Sequence, residues 1–427
     1  MTRERVLRGT QRQHVTLPTM KSDPGSVVLG HTAEGRSGPH VLVLPKWYPG
    51  RNDPQLGDFV RKQMLATAGT LNARGGKMSV VFCVPLADME PLHEQELHED
   101  KGAWELRCYY RPSMAAITPL RKLINLQRYW RASWNGIRRT ISERGRPDIT
   151  HVHILVRPAL VAWWLKKMRG VPFLLSEQSS EYLDGAWDAK SALFKAINYF
   201  LFRRAAAVTA VSAHLGEGLK RLALCARYEV VPNTVPGTDR PLPAPGPPDR
   251  FMVVADLVDK TKNVSGVLRA LKAGRDLGHD LRLDVIGDGT DMDALRDLSK
   301  TLGLNGSVRW LGRMSNAEVL AHMATTGTVI INSNVETFSV VTGEALALGK
   351  PVIATRCGGP VAFITEENGA LIEPRDDHAL TAAMIFRITE QRQYDAAAIR
   401  RSVHERFSAK AVGEQFTAIY ERVIYHG

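Results

Sequence analysis

Short apolar runs alternate with longer amphipathic stretches along most of this chain. Residues 41–44 (VLVL), 79–84 (SVVFCV), 148–155 (DITHVHIL), 206–212 (AAVTAVS) and 228–233 (YEVVPN) are brief and rich in β-branched residues. Polar or turn-forming positions bound them, which predicts buried strands. The pattern resumes at 251–255 (FMVVA), 281–286 (LRLDVI), 308–311 (VRWL), 328–332 (TVIIN), 352–354 (VIA) and 369–374 (GALIEP). Helices are expected between them: from Phe59 onward with Asp58 as N-cap, through Arg221, through Leu271 and after Asp376. Residues 114–143 carry Leu120, Leu123, Tyr129, Trp130, Trp134 and Ile137 at helical spacing among arginines. Strands alternating with helices in this way pair in parallel, so a parallel sheet is expected in each half.

The pattern breaks twice. Residues 1–39 are polar, with little periodicity, and read as a mobile lead-in. Residues 236–250 (PGTDRPLPAPGPPDR) are dense in proline and glycine. They read as a linker between a first domain, residues 40–235, and a second opening at residue 251.

The second domain concentrates its chemistry in residues 332–351 (NSNVETFSVVTGEALALGKP). A strand precedes it, and the helix formers of 345–348 end at Gly349 and Pro351. Glu336 therefore falls in a strand-to-helix loop and Glu344 on the first turns of the helix. A helix start offers unpaired N–H groups and partial positive charge, which suits a diphosphate. Two acceptor-only carboxylates beside it suit the hydroxyls of a sugar and a ribose. The turn at Cys357, Gly358, Gly359 and Pro360 sets a second tight loop on the same sheet edge, where open α/β sheets bind ligands.

Composition narrows the setting. With 427 residues and 44% hydrophobic content, the chain is long enough for two cores. The 4 cysteines have no paired spacing, and no apolar run approaches the roughly 20 residues of a membrane span. A cytoplasmic protein is expected, without a signal peptide. The net charge of +12 gathers in residues 105–146, where ten Lys and Arg face two Glu. The helix of residues 114–143 within it is expected to pack on its own domain, with contact to an anionic membrane at the inner face of the cell as the alternative. No nucleic-acid motif accompanies it. The spacing Asp291-Met292-Asp293 reads as a helix start, and no metal site is expected.

Ser333, Glu336, Phe338, Glu344, Ala345, Leu346, Ala347, Gly349, Pro351, Val352, Ile353 and Ala354 fall in the pattern S-x-x-E-x-F-G-x-x-x-x-E-A-(L/M)-A-x-G-x-P-V-I-A. In this the stretch resembles the signature of the retaining glycosyltransferases of group 1, family four, the glycogen-synthase and sucrose-synthase type. Ser339 stands where that pattern has glycine. The loop P-x-W-Y-P…P-x-x-G-x-F-V resembles the family's first loop, which assigns Gly57 to the donor diphosphate. His153 matches the second histidine of D-x-x-H-x-H, and Lys262-Asn263 matches the family's Lys-Asn. Two places depart: Ala255-Asp256-Leu257 replaces Gly-Arg-Leu, removing an arginine for which Arg313 or Lys260 are the candidate substitutes, and Glu177-Gln178, in the segment 174–180 (LLSEQSS) expected to follow a strand, replaces Glu-His.

The resemblance implies a GT-B fold, two facing Rossmann-like, doubly wound α/β domains with a cleft between them. The first, 40–235, would take the acceptor; the second, 251–408, the nucleotide sugar; residues 409–427 would return as a helix to the first. It implies sugar transfer from a nucleoside diphosphate sugar to a carbohydrate or lipid-linked acceptor in cell-surface glycan or polysaccharide synthesis. His153, Glu336 and Lys262 would be catalytic. The donor would lie against Gly57, Lys262, Gly312, Arg313, Glu336, Thr337, Phe338, Ser339, Val340 and Glu344. No cofactor or metal is expected. The alternative is a catalytically degenerate sugar-nucleotide binder or assembly partner.

Overall fold

The computed structural model describes residues 38–389 and 394–426. The lead-in expected over 1–39 therefore lies, but for its last two residues, outside the described residues. The first domain runs β1 (His40–Pro45), α1 (Asp58–Ala73), β2 (Lys77–Pro85), β3 (His93–Asp100), β4 (Ala103–Tyr110), α2 (Thr118–Arg144) and β5 (Ile149–His153). It continues with α3 (Arg157–Arg169), β6 (Phe173–Glu177), α4 (Ala192–Phe202), β7 (Ala207–Ala210), α5 (Ala213–Arg221) and β8 (Glu229–Val230). The second begins β9 (Arg250–Val254), α6 (Asp259–Lys262), α7 (Val264–Asp276), β10 (Arg282–Ile286), α8 (Met292–Thr301), β11 (Val308–Gly312) and α9 (Asn316–Ala324). It closes with β12 (Thr328–Ile331), α10 (Val340–Ala347), β13 (Val352–Thr355), β14 (Gly369–Ile372), α11 (Asp377–Thr389), α12 (Ala396–Phe407) and α13 (Ala409–His426).

The strands form two sheets, ordered β3-β4-β2-β1-β5-β6-β7-β8 and β11-β10-β9-β12-β13-β14, within one compact unit. Strand order reverses between β1 and β5 in the first sheet and between β9 and β12 in the second. Loops diverge at such a reversal and leave a crevice at the carboxyl ends of the strands. Each sheet is covered on both faces. In the first, Val60, Met64 and Leu71 of α1 pack with Val412, Phe416 and Tyr420 of α13 on one side, and α2 and α3 cover the other. In the second, α7 and α11 supply Leu268 and Leu380 to one face, while Val319, Leu346 and Ile399 fill the other. The chain crosses between domains where the Val235 N–H donates to the Phe407 carbonyl at 2.9 Å, and α13 then lies on α1.

Three expectations need correction. The first sheet is not wholly parallel: β3 pairs antiparallel with β4, and neither strand was expected. β3 reads HEQELHED, with no apolar alternation, because it is an edge strand whose charge guards against edge-to-edge pairing. The segment 174–180, expected to follow a strand, contains most of β6 itself. Asp58 is not the N-cap of α1. Gly57 takes that position at φ 65°, where a Cβ would stand 2.4 Å from the Trp47 carbonyl carbon, and Asp58 pairs with Lys62 one turn on at 2.7 Å.

Candidate active site

Between the domains lies a cavity of about 410 Å³. Gln55, Phe59, Gln178 and Asn233 line it from the first domain. From the second come Asp256 after β9, Lys262 at the end of α6, Asp288 after β10, Arg313 after β11, and residues 332–333 and 336–341 leading into α10. Seven of the expected site residues thus meet on one wall: Lys262, Arg313, Glu336, Thr337, Phe338, Ser339 and Val340.

Lys262 and Glu336 make the centre of that wall. The Lys262 Nζ donates to Glu336 Oε1 at 2.6 Å, and the Ser333 hydroxyl donates to the same oxygen at 2.7 Å. Burial works against the lysine's charge, but Glu336 and then Asp256 more than offset it and hold the ammonium above its ordinary range. The loop carrying Glu336 is pinned through its backbone. Its N–H donates to the Cys357 carbonyl at 3.0 Å, and its carbonyl accepts from Gly359 at 2.8 Å. The turn at Gly358 and Gly359 is therefore the brace of the carboxylate loop.

Ser339 caps α10 at φ 70°, a left-handed conformation that costs a side chain but not glycine. That is the physical reason for a glycine in the related pattern. Here the Ser339 hydroxyl bonds Thr342 Oγ1 at 2.7 Å. Beyond it, Val340 and Val341 bring to the cavity the first turn of a helix, whose N–H groups lack intrahelical partners.

Four expected residues do not line the cavity. Glu344 is 3% exposed, and burial raises its pKa against the opposing bond from Asn316. The Asn316 amide donates to Glu344 Oε1 at 2.7 Å, and its oxygen accepts from Lys62 of the first domain at 3.1 Å. Gly57 sits behind Gln55 and Phe59 as the cap of α1. Gly312 lies within β11, its carbonyl accepting from Gly287 at 2.9 Å, and positions Arg313 after it. His153 is fully buried behind Gln178, and burial drives its pKa down to about 3, so its ring is neutral. From there it does not reach the cavity as a general acid or base.

Arg313, one candidate for the missing arginine, does face the cavity; its Nε donates to Gln55 Oε1 at 2.9 Å across the cleft. Lys260, the other, is exposed and away from the lining. Asp256 itself is on the wall, so a carboxylate occupies the region where the related pattern has a cation. Gln55, Asn233 and Asn316 escaped sequence reasoning. Asn233 alone had a signal, closing a strand segment just after Pro232. Among the described residues, no three His, Cys, Asp or Glu gather as metal ligands.

Two Rossmann-like domains facing across such a cleft define the GT-B class. Sucrose-phosphate synthase from Thermosynechococcus elongatus superimposes with a TM-score of 0.69 at 17% identity, over 91% of this chain and 100% of that one. Anabaena HepE, solved with UDP and glucose, gives 0.64 at 17% identity over 90% and 99%. The family models "Glycosyl transferases group 1" and "Glycosyl transferase 4-like domain" match residues 238–402 and 60–234. The chain belongs to the group 1 glycosyltransferases. The lipopolysaccharide core biosynthesis glycosyltransferase LpsD of Rhizobium meliloti is 31% identical over 180 residues, 41% of this chain and 51% of that protein. The match thus spans about half the length of that relative.

Proposed function

We propose that the protein transfers a sugar from a nucleoside diphosphate sugar to a hydroxyl of a carbohydrate or glycolipid, with retention of configuration and without a metal. One observation carries this: Lys262, Glu336 and the start of α10 face a single cavity at the strand-order reversal of the second sheet. Charge develops on the diphosphate as the glycosidic C–O bond breaks. The Lys262 ammonium and the N–H groups at the start of α10 stabilise that charge, and being fixed in advance they need no reorganisation. The acceptor oxygen attacks the same face, and its proton leaves on the departing diphosphate oxygen. Glu336 takes a hydroxyl of the donor sugar. Glu344 takes the ribose once Asn316 yields. The lipopolysaccharide role named for LpsD favours a cell-surface glycan as the destination.

The test is a panel of nucleotide sugars against the purified protein, read by thermal shift and by nucleoside diphosphate release. One donor should raise the melting temperature and be turned over, with the product anomer unchanged and EDTA without effect. A donor that binds but is never turned over, with or without acceptor, would make the protein a binder instead.

A second reading concerns α2. Among the described residues no helix is long and apolar enough to cross a membrane. Yet the first turns of α2 stand clear of the body, with Ile117 and Leu123 each 64% exposed beside Arg121 and Lys122. Apolar side chains among cations suit an anionic bilayer surface. Vesicles containing phosphatidylserine should retain the protein at low salt, and Leu123→Asp should release it. Equal retention on phosphatidylcholine vesicles would end this reading.

A further inference from the structure

A buried chain of hydrogen bonds fixes the direction in which Gln178 faces. The Pro232 carbonyl can only accept, so the end of Gln63 that bonds it at 2.8 Å is the amide nitrogen. Gln63 Oε1 is thereby turned toward Gln178, whose Nε2 donates to it at 3.1 Å. The other N–H of that nitrogen reaches His153 Nδ1 at 3.3 Å. Both donors of Gln178 are engaged, and its oxygen has no choice of direction.

That oxygen, Oε1, is buried and has no hydrogen-bond partner among the described residues. Asn233 repeats the situation with Oδ1. The two residues are 6% and 4% exposed, and both line the cavity that holds Lys262 and Glu336. Buried polar atoms in folded proteins are nearly always paired, and two unpaired oxygens on one wall ask for a ligand that donates. The rest of this wall, Gln55 and Phe59, carries no charge.

We propose that Gln178 and Asn233 are specificity residues that read the acceptor, and that they select a neutral hydroxyl-bearing group over a phosphate or carboxylate. The inference rests on the transfer reading above. An amide oxygen accepts from a hydroxyl and repels an anionic oxygen. A sugar face with two free hydroxyls satisfies both atoms at once. An anionic acceptor would leave both unpaired and find no cation among the residues lining its side of the cavity.

The experiment compares methyl α-glucoside, galactoside and mannoside with the corresponding hexose 6-phosphates. Each is offered with the donor found by the nucleotide-sugar panel. The wild type should prefer a neutral hexoside by at least about tenfold in kcat/KM, the scale of one good neutral hydrogen bond. Gln178→Met should raise the acceptor KM about tenfold while moving the donor KM less than about twofold. Asn233→Leu, at an independent position, should do the same, and Asn233→Asp should restore hexoside use because an acceptor oxygen remains. Equal or better use of the phosphates, or parallel rises in both KM values, would overturn the proposal. If the wild type turns over no donor, the transfer reading fails. Saturation-transfer NMR with the methyl hexosides then decides the subsite. Binding that Asn233→Leu abolishes supports it, and no binding to the wild type overturns it.

Discussion

The two walls of the cleft are built on opposite principles. The second domain's wall is charged and local. Glu336, Ser339 and the start of α10 come from one continuous stretch, and Lys262 reaches it from α6, the short helix after β9. The first domain's wall is neutral and assembled from afar. Gln55 and Phe59 flank the cap of α1, Gln178 follows β6, and Asn233 follows β8. Gln63 ties Gln178 to Pro232, the residue before Asn233, by hydrogen bonds spanning 115 and 169 positions of sequence. The lesson is a division of labour. Under the proposed function the charged wall would meet a diphosphate whose chemistry is constant, so a short motif would be enough. The neutral wall would meet the acceptor, and long-range packing sets its shape.

Breaking the charged wall should give the largest effect. Lys262→Ala removes the one ammonium that contacts Glu336, and turnover should fall by about 100- to 1000-fold, as for loss of a preorganised donor. Steady-state nucleoside diphosphate release measures it. A near-normal rate would mean that the diphosphate does not lie on this wall, and the contrast between the walls would lose its chemical basis.

The neutral wall can be probed through its support. Glu177 is fully buried, and burial pushes its pKa from 4.5 up to about 7, against the N–H groups of Ser179, Gln178 and Leu155 that favour its charge. Those N–H groups belong to the loops after β5 and β6, so this carboxyl ties the neutral wall together. The folded protein therefore holds a proton that the unfolded chain has lost between pH 4.5 and 7, and stability falls as pH rises through that window. Glu177→Gln removes that slope. The stability of the variant relative to wild type should climb by about 3 kcal/mol across the window, read by urea denaturation at a series of pH values. The buried His40 and His153, lowered to about 4 and about 3, act in the opposite sense, losing stability as pH falls below 6.5. They are common to both proteins and cancel in the difference. A flat difference would show that Glu177 titrates in the folded protein as it does in the unfolded chain.

This contrast also explains what was legible in the sequence. The strand pattern located eleven of the fourteen strands, because buried parallel strands must be apolar along their length. β3 was invisible because an edge strand obeys no such demand. On the charged wall, residues from the 332–351 stretch could be placed by position alone, since a strand, a loop and a helix start fix where their side chains go. Glu344 was read correctly as a helix residue but not as one already held by Asn316, a contact made from the far side of β11. Gln178 was noticed only as a departure from Glu-His. Its role depends on Gln63, which nothing near it in the sequence announces.

The return of α13 to the first domain has a bearing on how the protein is made. Tyr420 donates to or accepts from the ring of His151 at 2.6 Å beneath the first sheet, and the Phe416 ring lies tilted against the same imidazole. A ribosome delivers β1 to β8 long before it delivers these side chains. The amino-terminal half must therefore wait, one face of its sheet covered by α1 alone, while the whole second domain is synthesised and folds. A stop codon that removed only the last turns would strand the part of the protein translated first.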